Sequence, residues 1–455
     1  MVPGSPALPL RTLVAALALC LGAGCAAPRA SGAVSPRERA RALVEAGKPA
    51  EALELLQSLH AAAPEDLTLA RALTEAQVKA GRTEAWIAEL ERRNRVQERA
   101  SQHYMLGLAH FSRAAGAGAP ARAAFERAIA LAPAEPELYH RLGVALVESE
   151  LYAQALPPLE RAVALAPQQP GLQLPLAKAR HRTGDSAGAV AALASVVQAG
   201  PTPAEVDTAR SLMEQISDPF ARLPRAAAAG LEEGLRALHE QDLPQQAILA
   251  FEELLHDFPD LAVVHALLGL AYQRLDDAGR AVDEYRRALE LAPTDGKTHL
   301  YLAELYLARQ RPEAARVELE RAVALHPLLD GAWFQLGDLQ LQRRELPAAR
   351  RAFQVLSHLQ PGSPAARGKL ALVLQLEGDW QGAEKELRAV LDRDPENLAF
   401  ALRLGLLHTE RRGRATSPQA RRSASDEAER WLRKVLKAQP ENAVASRALA
   451  SLRAQ

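Results

Sequence analysis

The side chains that could do chemistry in this chain are scattered and form no recognised catalytic or metal-binding pattern. The sequence has no glycine-rich phosphate loop after a strand pattern, no paired Cys-x-x-Cys motif and no His-Glu-x-x-His motif. His265 and His299 hold equivalent positions in the most regular part of the chain, which also contains His326. We expect these two histidines to pack in the core and not to bind a metal. His408 and Glu410 stand alone near a polar segment. We therefore predict no enzymatic activity, no catalytic residue, no metal site and no cofactor.

Both cysteines lie close to the N-terminus. They are Cys20 and Cys25, so the rest of the chain can form neither a disulfide nor a thiolate metal site. An apolar run from Leu13 to Ala23 follows Arg11. At about a dozen residues the run is too short to span a bilayer and has the length of a signal-peptide core.

The run ends in small residues before Cys25, and Gly22-Ala23-Gly24-Cys25 resembles the processing site of bacterial lipoproteins. The resemblance implies a signal peptide over 1–24, a lipid on Cys25, and a tether over 25–32 that holds the chain to a membrane. It also implies a protein of the bacterial envelope, at the outer membrane and facing the periplasm. Gly22 stands where such sites usually carry Leu. A plain secretory signal or a short membrane anchor are the alternatives.

Prolines recur along the chain with a constant spacing of about 34 residues, a length typical of helical repeats. They form two series, one at Pro133, Pro167 and Pro201 and the other at Pro259, Pro293, Pro327, Pro361 and Pro395. We call the repeats that end at these prolines the first ladder and the second ladder. Proline ends a helix, so a constant spacing predicts one helical unit copied many times.

Other positions fall into register when the units are aligned on these prolines. A small residue lies 12 before each proline, as Ala281 and Ala315 do, and a large apolar residue lies 8 before it, as Tyr285 and Leu319 do. A second small residue lies 24 before most of them, as Gly337 does. These offsets predict two amphipathic helices per unit that approach closely and bury their apolar faces only when units stack.

The pattern resembles the tetratricopeptide repeat family. Segments 136–169, 262–295, 296–329 and 330–363 match it best, and the last carries Trp333, Leu336, Gly337, Ala349, Phe353 and Pro361 at the family's positions. The resemblance implies an all-α solenoid of about ten or eleven helix hairpins. The step from Pro201 to Pro259 is longer than one period, so we predict two arrays. The first array covers 33–216 and ends in a closing helix over 203–216. The second covers 227–455 and ends in a capping helix. A hinge over 217–226 joins the two arrays. We predict an exposed loop over 411–425.

By resemblance to the family, positions 2, 5, 9 and 12 of each unit line a groove that binds a partner. In the second array this surface is unusually apolar, which is typical of an interaction site. We call it the first-helix face. The residues that we predict to bind an amphipathic or extended segment of a protein are Leu270, Leu300, Glu304, Leu307, Phe334, Asp338, Leu341 and Leu372. The alternatives are that these side chains belong to the core, or that another part of the chain covers them.

Charge and composition argue against nucleic acid as a partner. The chain has 55 Lys and Arg against 55 Asp and Glu, and only 4% aromatic residues. We expect a lipid-anchored scaffold that mediates protein–protein interaction in the assembly of a bacterial envelope complex, such as a pilus, a secretin or a polysaccharide exporter. The alternative is an accessory subunit that tethers a periplasmic cell-wall or polysaccharide enzyme.

Overall fold

The computed structural model describes residues 35–113, 118–220 and 223–453, and every regular element in these residues is helical. The predicted all-α class is therefore confirmed. Residues 1–34 contain the predicted signal peptide, Cys25 and the tether, and these predictions lie outside the described residues. Among the described helices we find no apolar stretch of sufficient length to span a bilayer.

The described residues form 24 α-helices, numbered here in chain order. Helices α1 to α12 are Pro36–Glu45, Pro49–Ala62, Leu67–Lys79, Thr83–Val96, Ala100–Arg113, Ala119–Leu131, Pro136–Glu148, Tyr152–Leu165, Pro170–Arg182, Ser186–Gln198, Pro203–Ile216 and Ala228–Leu235. Helices α13 to α24 are Pro244–Asp257, Ala262–Arg274, Ala278–Leu291, Gly296–Ala308, Pro312–Leu325, Asp330–Gln342, Leu346–Leu359, Pro364–Glu377, Trp380–Leu391, Leu398–Arg414, Pro418–Ala438 and Ala443–Arg453.

The chain divides into two compact units, one up to Arg113 and one from Ala114 onwards. Helices α1–α5 belong to the first and α6–α24 to the second. The helix predicted over 203–216 forms as α11, and α24 packs on α22 and α23 as a final helix. The predicted division into arrays at 217–226 remains a prediction.

In several hairpins a small residue of the first helix faces a large residue of the second. A Cβ atom on Gly269 would lie 2.7 Å from Cδ1 of Tyr285, and one on Gly337 would lie 2.8 Å from Cε1 of Phe353. Both rings are fully buried. The close approach of the two helices, predicted from the register of the repeat, is thus confirmed at these hairpins, and glycine is what permits it.

The turn between the two helices of a unit repeats with the same period. It places one residue in the left-handed region, with positive φ, at Gly47, Gly81, Glu150, Gly184, Asp242, Asp276, Gln310, Arg344 and Gly378. At Asp276 the turn is closed by two hydrogen bonds, from the Asp276 N–H to the Gln273 carbonyl (3.0 Å) and from the Asp277 N–H to the Tyr272 carbonyl (3.0 Å). This geometry satisfies carbonyls that the ending helix leaves free. Gly81 marks the same turn in segment 67–100, which lacks the closing proline.

The closing proline of one unit is also tied to the next unit. A side chain six positions after the proline donates a hydrogen bond to the proline carbonyl. The pairs are Tyr139 to Pro133 (3.1 Å), His265 to Pro259 (3.0 Å), Trp333 to Pro327 (2.8 Å) and Arg367 to Pro361 (3.1 Å). In these four units, four different side chains therefore make the same contact from the fourth position of the unit.

The expectation of an exposed loop over 411–425 is wrong. Helix α22 continues to Arg414 and α23 begins at Pro418, so only 415–417 lie between them. These helices have 17 and 21 residues, against 13 or 14 in the best-matched hairpins. The inserted residues extend both helices because they contain good helix formers, and because Ser417 caps α23 by accepting a hydrogen bond from the Ala420 N–H (3.1 Å).

A π-helical turn adjusts the register at the start of the second ladder. Phe251 packs on Gly234 as Tyr285 packs on Gly269, but the first pair is one position further apart along the chain than the second. The turn spans Arg236–Glu240 and accommodates the extra residue. As a result, the left-handed turn residue Asp242 stays in step with the repeat.

Within the second unit, helices α10 and α11 fold back onto α17 and α19. The Arg210 guanidinium donates to both carboxylate oxygens of Asp330 (3.0 and 3.1 Å), and the His358 ring pairs with the Val197 carbonyl (2.8 Å). Buried side chains of both parts form one apolar cluster that includes Val355. The closing helix of the first ladder is therefore packed against the middle of the second.

The histidines of the regular repeats are packing residues. His265 and His299 each pair through Nδ1 with a glutamate of the following helix, at 2.7 Å for Glu284 and 2.6 Å for Glu318. Burial lowers the pKa of His265, but the hydrogen bonds to Glu284 and to the Pro259 carbonyl outweigh it, so the pKa is raised overall. Among the described residues, no group of three His, Cys, Asp or Glu side chains could hold a metal ion.

His326 is in the opposite situation. Its side chain is buried and its Nδ1 has no hydrogen-bond partner. Burial, reinforced by the nearby Lys297 ammonium group, lowers its pKa to about 4. Near neutral pH the His326 ring is therefore uncharged in the folded state.

We predict that enlarging Ala315 destabilises the solenoid. Ala315 is fully buried where α17 meets its neighbours, so Ala315→Leu should lower the free energy of unfolding by about 1–3 kcal/mol through overpacking. Val317 lies on the same helix and is 47% exposed, so Val317→Leu is the matched control and should be nearly neutral. Urea denaturation measures both, and equal stability of the two variants would contradict this helix crossing.

We predict that His326 makes the protein sensitive to acid. The unfolded state takes up the proton near pH 6.5 and the folded state near pH 4, so stability falls as pH falls through this window, by up to about 3 kcal/mol. His326→Ala places the residue found before Pro293 at this position and should reduce that slope. The control is the exposed His256→Ala, which should leave it unchanged. Unfolding free energies between pH 4 and pH 7 test this, and an unaltered slope in His326→Ala would refute it.

Candidate peptide-binding surface

The first helices of four successive units carry the eight predicted residues. Leu270 lies on α14 and Leu372 on α20. The others lie on α16 and α18 at matching positions, which are Leu300, Glu304 and Leu307, and Phe334, Asp338 and Leu341. Spacings of four and three positions put the members of each helix on one side of it.

Most of the predicted residues are neither core nor free surface. Leu270, Leu300 and Leu307 are half-buried and pack against the apolar cluster that extends from Ala227 to Leu336. Phe334 and Leu341 are half-buried against the next cluster, and Leu372 is 39% exposed. The structure thus gives these side chains one side in the core and one side in solvent, which is an arrangement that can receive a partner without unfolding the helices.

Polar pairs bridge neighbouring first helices across this face. Gln335 donates to Glu304 (2.8 Å), and the Lys369 ammonium group donates to Asp338 (2.6 Å). Lys369 also lies 5.6 Å from the ring centroid of Phe334, within the range of a cation–π interaction. Two of the predicted residues are therefore engaged with neighbours that fix the spacing of successive helices.

The environment of Glu304 differs from that of an ordinary surface carboxylate. Burial raises the pKa of its carboxyl group, and the hydrogen bond from Gln335 opposes that rise. A half-buried carboxyl group beside apolar side chains can accept a hydrogen bond from a backbone N–H group of a bound segment.

Sequence reasoning missed Gln335 and Lys369, which occupy position 6 of their units, and the exposed Leu376 one turn after Leu372. The signal that could have found the first two is an offset of 31, since it joins position 9 of one unit to position 6 of the next. A comparison of equivalent positions in successive units does not reveal this pairing, because it joins two different positions of the unit.

The fold-back of α10 and α11 uses other residues of the second ladder. Its apolar cluster contains Leu328, Val355 and Leu359, and its ion pair uses Asp330. None of these belongs to the predicted eight. The alternative that the chain covers its own first-helix face finds no support in this contact.

His408 and Glu410, for which we expect no catalytic role, lie on α22. Burial lowers the pKa of His408, against the raising effect of Glu384, whose Oε1 is 3.7 Å from its Nε2. Arg388 bridges Glu384 (2.8 Å) and Glu427 (3.0 Å), so these carboxylates have a cationic partner. Glu410 accepts a hydrogen bond from Gln375 (2.6 Å), which links α20 to α22.

Two sequence models of the tetratricopeptide repeat match the chain. One matches residues 146–216 and 273–330, and the other matches 113–170 and 369–417. No curated protein matches the chain.

Solved structures with similar folds match parts of the chain at low identity. YrrB, described as a TPR protein with an unusual peptide-binding site, is 19% identical over 44% of this chain and 97% of its own, with a TM-score of 0.38. PilF of Pseudomonas aeruginosa is 20% identical over 50% of this chain and 97% of its own, with a TM-score of 0.39. A MamA structure from Desulfovibrio magneticus is 20% identical over 38% of this chain and 98% of its own, with a TM-score of 0.34.

Tetratricopeptide repeat proteins are generally non-catalytic scaffolds for protein–protein interaction. The matched segments fall in both ladders. They contain the left-handed turn residues Glu150, Gly184, Asp276, Gln310 and Gly378, and one of them contains the close contact of Gly143 with Leu159. The matched segments of this chain are tetratricopeptide repeats.

Proposed function

We propose that this protein is a lipid-anchored scaffold that binds an apolar segment of a protein partner on its first-helix face. In this proposal the scaffold assists assembly of a bacterial envelope complex, such as a pilus, a secretin or a polysaccharide exporter. Cys25 holds it at the outer membrane, facing the periplasm.

The observation that carries the proposal is the half-buried apolar row on successive first helices. Leucine and phenylalanine side chains that are packed on one side and open on the other are pre-positioned, so binding costs little side-chain entropy. Glu304 and Asp338 alternate with this row and offer acceptors at its edge. An amphipathic helix or an extended segment combines an apolar stripe with polar groups in this way.

The sequence pattern around Cys25 supports the membrane part of the proposal. A lipid on that residue would anchor the chain without a spanning helix. The chain carries equal numbers of basic and acidic residues, so the anchor and not a cationic surface would provide the membrane attachment.

We predict that the exposed end of the first-helix face contacts the partner. A photo-crosslinking amino acid at Leu372, which is 39% exposed on a first helix, should capture a defined protein in cells. The same group at Leu249, which is 66% exposed on the second helix α13, is the matched control and should not. A pilus, secretin or exporter component supports the proposal, and a soluble cell-wall or polysaccharide enzyme supports the alternative of a tethering subunit.

Affinity measurements with the captured protein then test the face itself. Leu372→Arg should weaken binding at least about tenfold, or about 1.4 kcal/mol, while the melt stays within about 0.5 kcal/mol of wild type. Leu249→Arg should leave both unchanged. Equal affinity of the two variants for the captured protein would contradict the assignment of the first-helix face as the binding surface.

We predict that Cys25→Ala abolishes membrane attachment. Metabolic labelling with a fatty-acid analogue should mark the wild-type chain and not the variant, and the variant should move to the soluble fraction. Cys20→Ala is the matched control and should keep the label. A labelled Cys25→Ala chain would place the lipid on another residue.

A further inference from the structure

A cleft separate from the first-helix face lies where the fold-back meets the second ladder. Its volume is about 680 Å³, and its walls come from the end of α10 on one side and from α18 and α19 on the other. The turn at Pro167 and Gln168 contributes to its rim. A cleft of this size suits a small molecule or a few units of a polymer. Because the two walls belong to different ladders, the cleft exists only through the fold-back.

Gln340 provides the first sign of a ligand. Its side chain lines the cleft and is only 8% exposed, yet its Oε1 has no hydrogen-bond partner. A buried amide oxygen without a hydrogen bond destabilises the folded state, and an O–H or N–H donor in the cleft would offset that cost.

The other polar side chains that line the cleft are uncharged, with the exception of Arg351. Gln168, Gln198 and Gln354 are exposed at the cleft, and Ser195 donates its hydroxyl proton to the Ala191 carbonyl, so its oxygen remains an acceptor. An amide side chain offers both donors and an acceptor, which matches a ligand rich in hydroxyl groups.

The apolar lining provides flat, shallow surfaces. The indole N–H of Trp333 donates to the Pro327 carbonyl (2.8 Å), so the part of Trp333 that lines the cleft offers apolar ring surface. Ala348 and Ala352 contribute little bulk beside it. An aromatic surface next to amides accommodates a sugar ring, which has apolar C–H faces and a hydroxyl-bearing edge.

Charge separates this ligand class from others. No acidic residue is among the described residues that line the cleft, so it offers a cation no counter-charge. Arg351 is the basic residue in the lining and is exposed. A single guanidinium group at the rim is a poor match for a multiply charged anion.

We propose that this cleft binds a short uncharged oligosaccharide, with a sugar ring against Trp333 and a hydroxyl group donating to Oε1 of Gln340. This site is distinct from the first-helix face, and it does not depend on the partner proposed for that face. Binding here would also hold the two ladders together, because the ligand contacts both walls.

The test uses the full mature chain and three probes, which are cellotriose, maltotriose and chitotriose. Saturation-transfer NMR should show transfer to at least one of them, and calorimetry should give its dissociation constant. An acetylated and amidated tripeptide of Gly and Ser serves as the probe of the competing peptide class.

Gln340→Met removes the amide and keeps the shape of the side chain. The variant should weaken binding of the active trisaccharide at least tenfold, while its melting temperature stays equal to wild type or rises, since the unpaired buried oxygen is gone. Gln342→Met is the matched control, because Gln342 is exposed on the same helix and outside the lining. It should bind as wild type.

Retained binding in Gln340→Met, or a fall of equal size in Gln342→Met, would overturn the site. Transfer to the tripeptide alone, or to none of the probes, would overturn the ligand class. Trp333→Phe is a second variant, and it should weaken the same trisaccharide while keeping the helical circular dichroism signal.

Discussion

The solenoid depends on how closely the two helices of each hairpin approach. At Gly269 and Gly337 a single added carbon would collide with the ring of Tyr285 or Phe353, and both rings are fully buried. The left-handed turn between the helices and the donor at the fourth position then set where each helix stops and where the next unit starts. Because these contacts recur from unit to unit, one geometric solution is copied along the chain and the core grows with each copy.

The same packing explains why the first-helix face is half-buried. The small residues of a first helix face its own second helix, while the residues one turn away lie between that core and solvent. Leu300 and Phe334 therefore stabilise the solenoid and shape its surface at once. Bridges such as Gln335 to Glu304 and Lys369 to Asp338 hold neighbouring first helices at a fixed distance, so the row of apolar groups is presented as one surface.

The irregular features interrupt the regular repetition of the unit. The π turn at Arg236–Glu240 absorbs one residue, and the long helices α22 and α23 absorb the inserted residues as extra turns. The expectation of a loop over 411–425 fails because a polar composition and a loss of register do not by themselves end a helix. The local propensity of the inserted residues and the Ser417 cap favour helix, and an insertion in a hairpin can lengthen both helices without disturbing the core.

From the amino-acid sequence one can predict the helical class, the repeating unit, the small-to-large contacts and the positions that form the first-helix face. Each of these follows from local periodicity, and periodicity is a property of one helix and its immediate neighbours. Folding in three dimensions brings α10 and α11 back onto α17 and α19, through contacts such as Arg210 with Asp330, 120 residues away. It also leaves Gln340 buried without a partner for its amide oxygen. Both depend on surfaces that meet across long stretches of chain, and no repeat within a unit encodes which of its outer side chains will meet another unit far along the sequence.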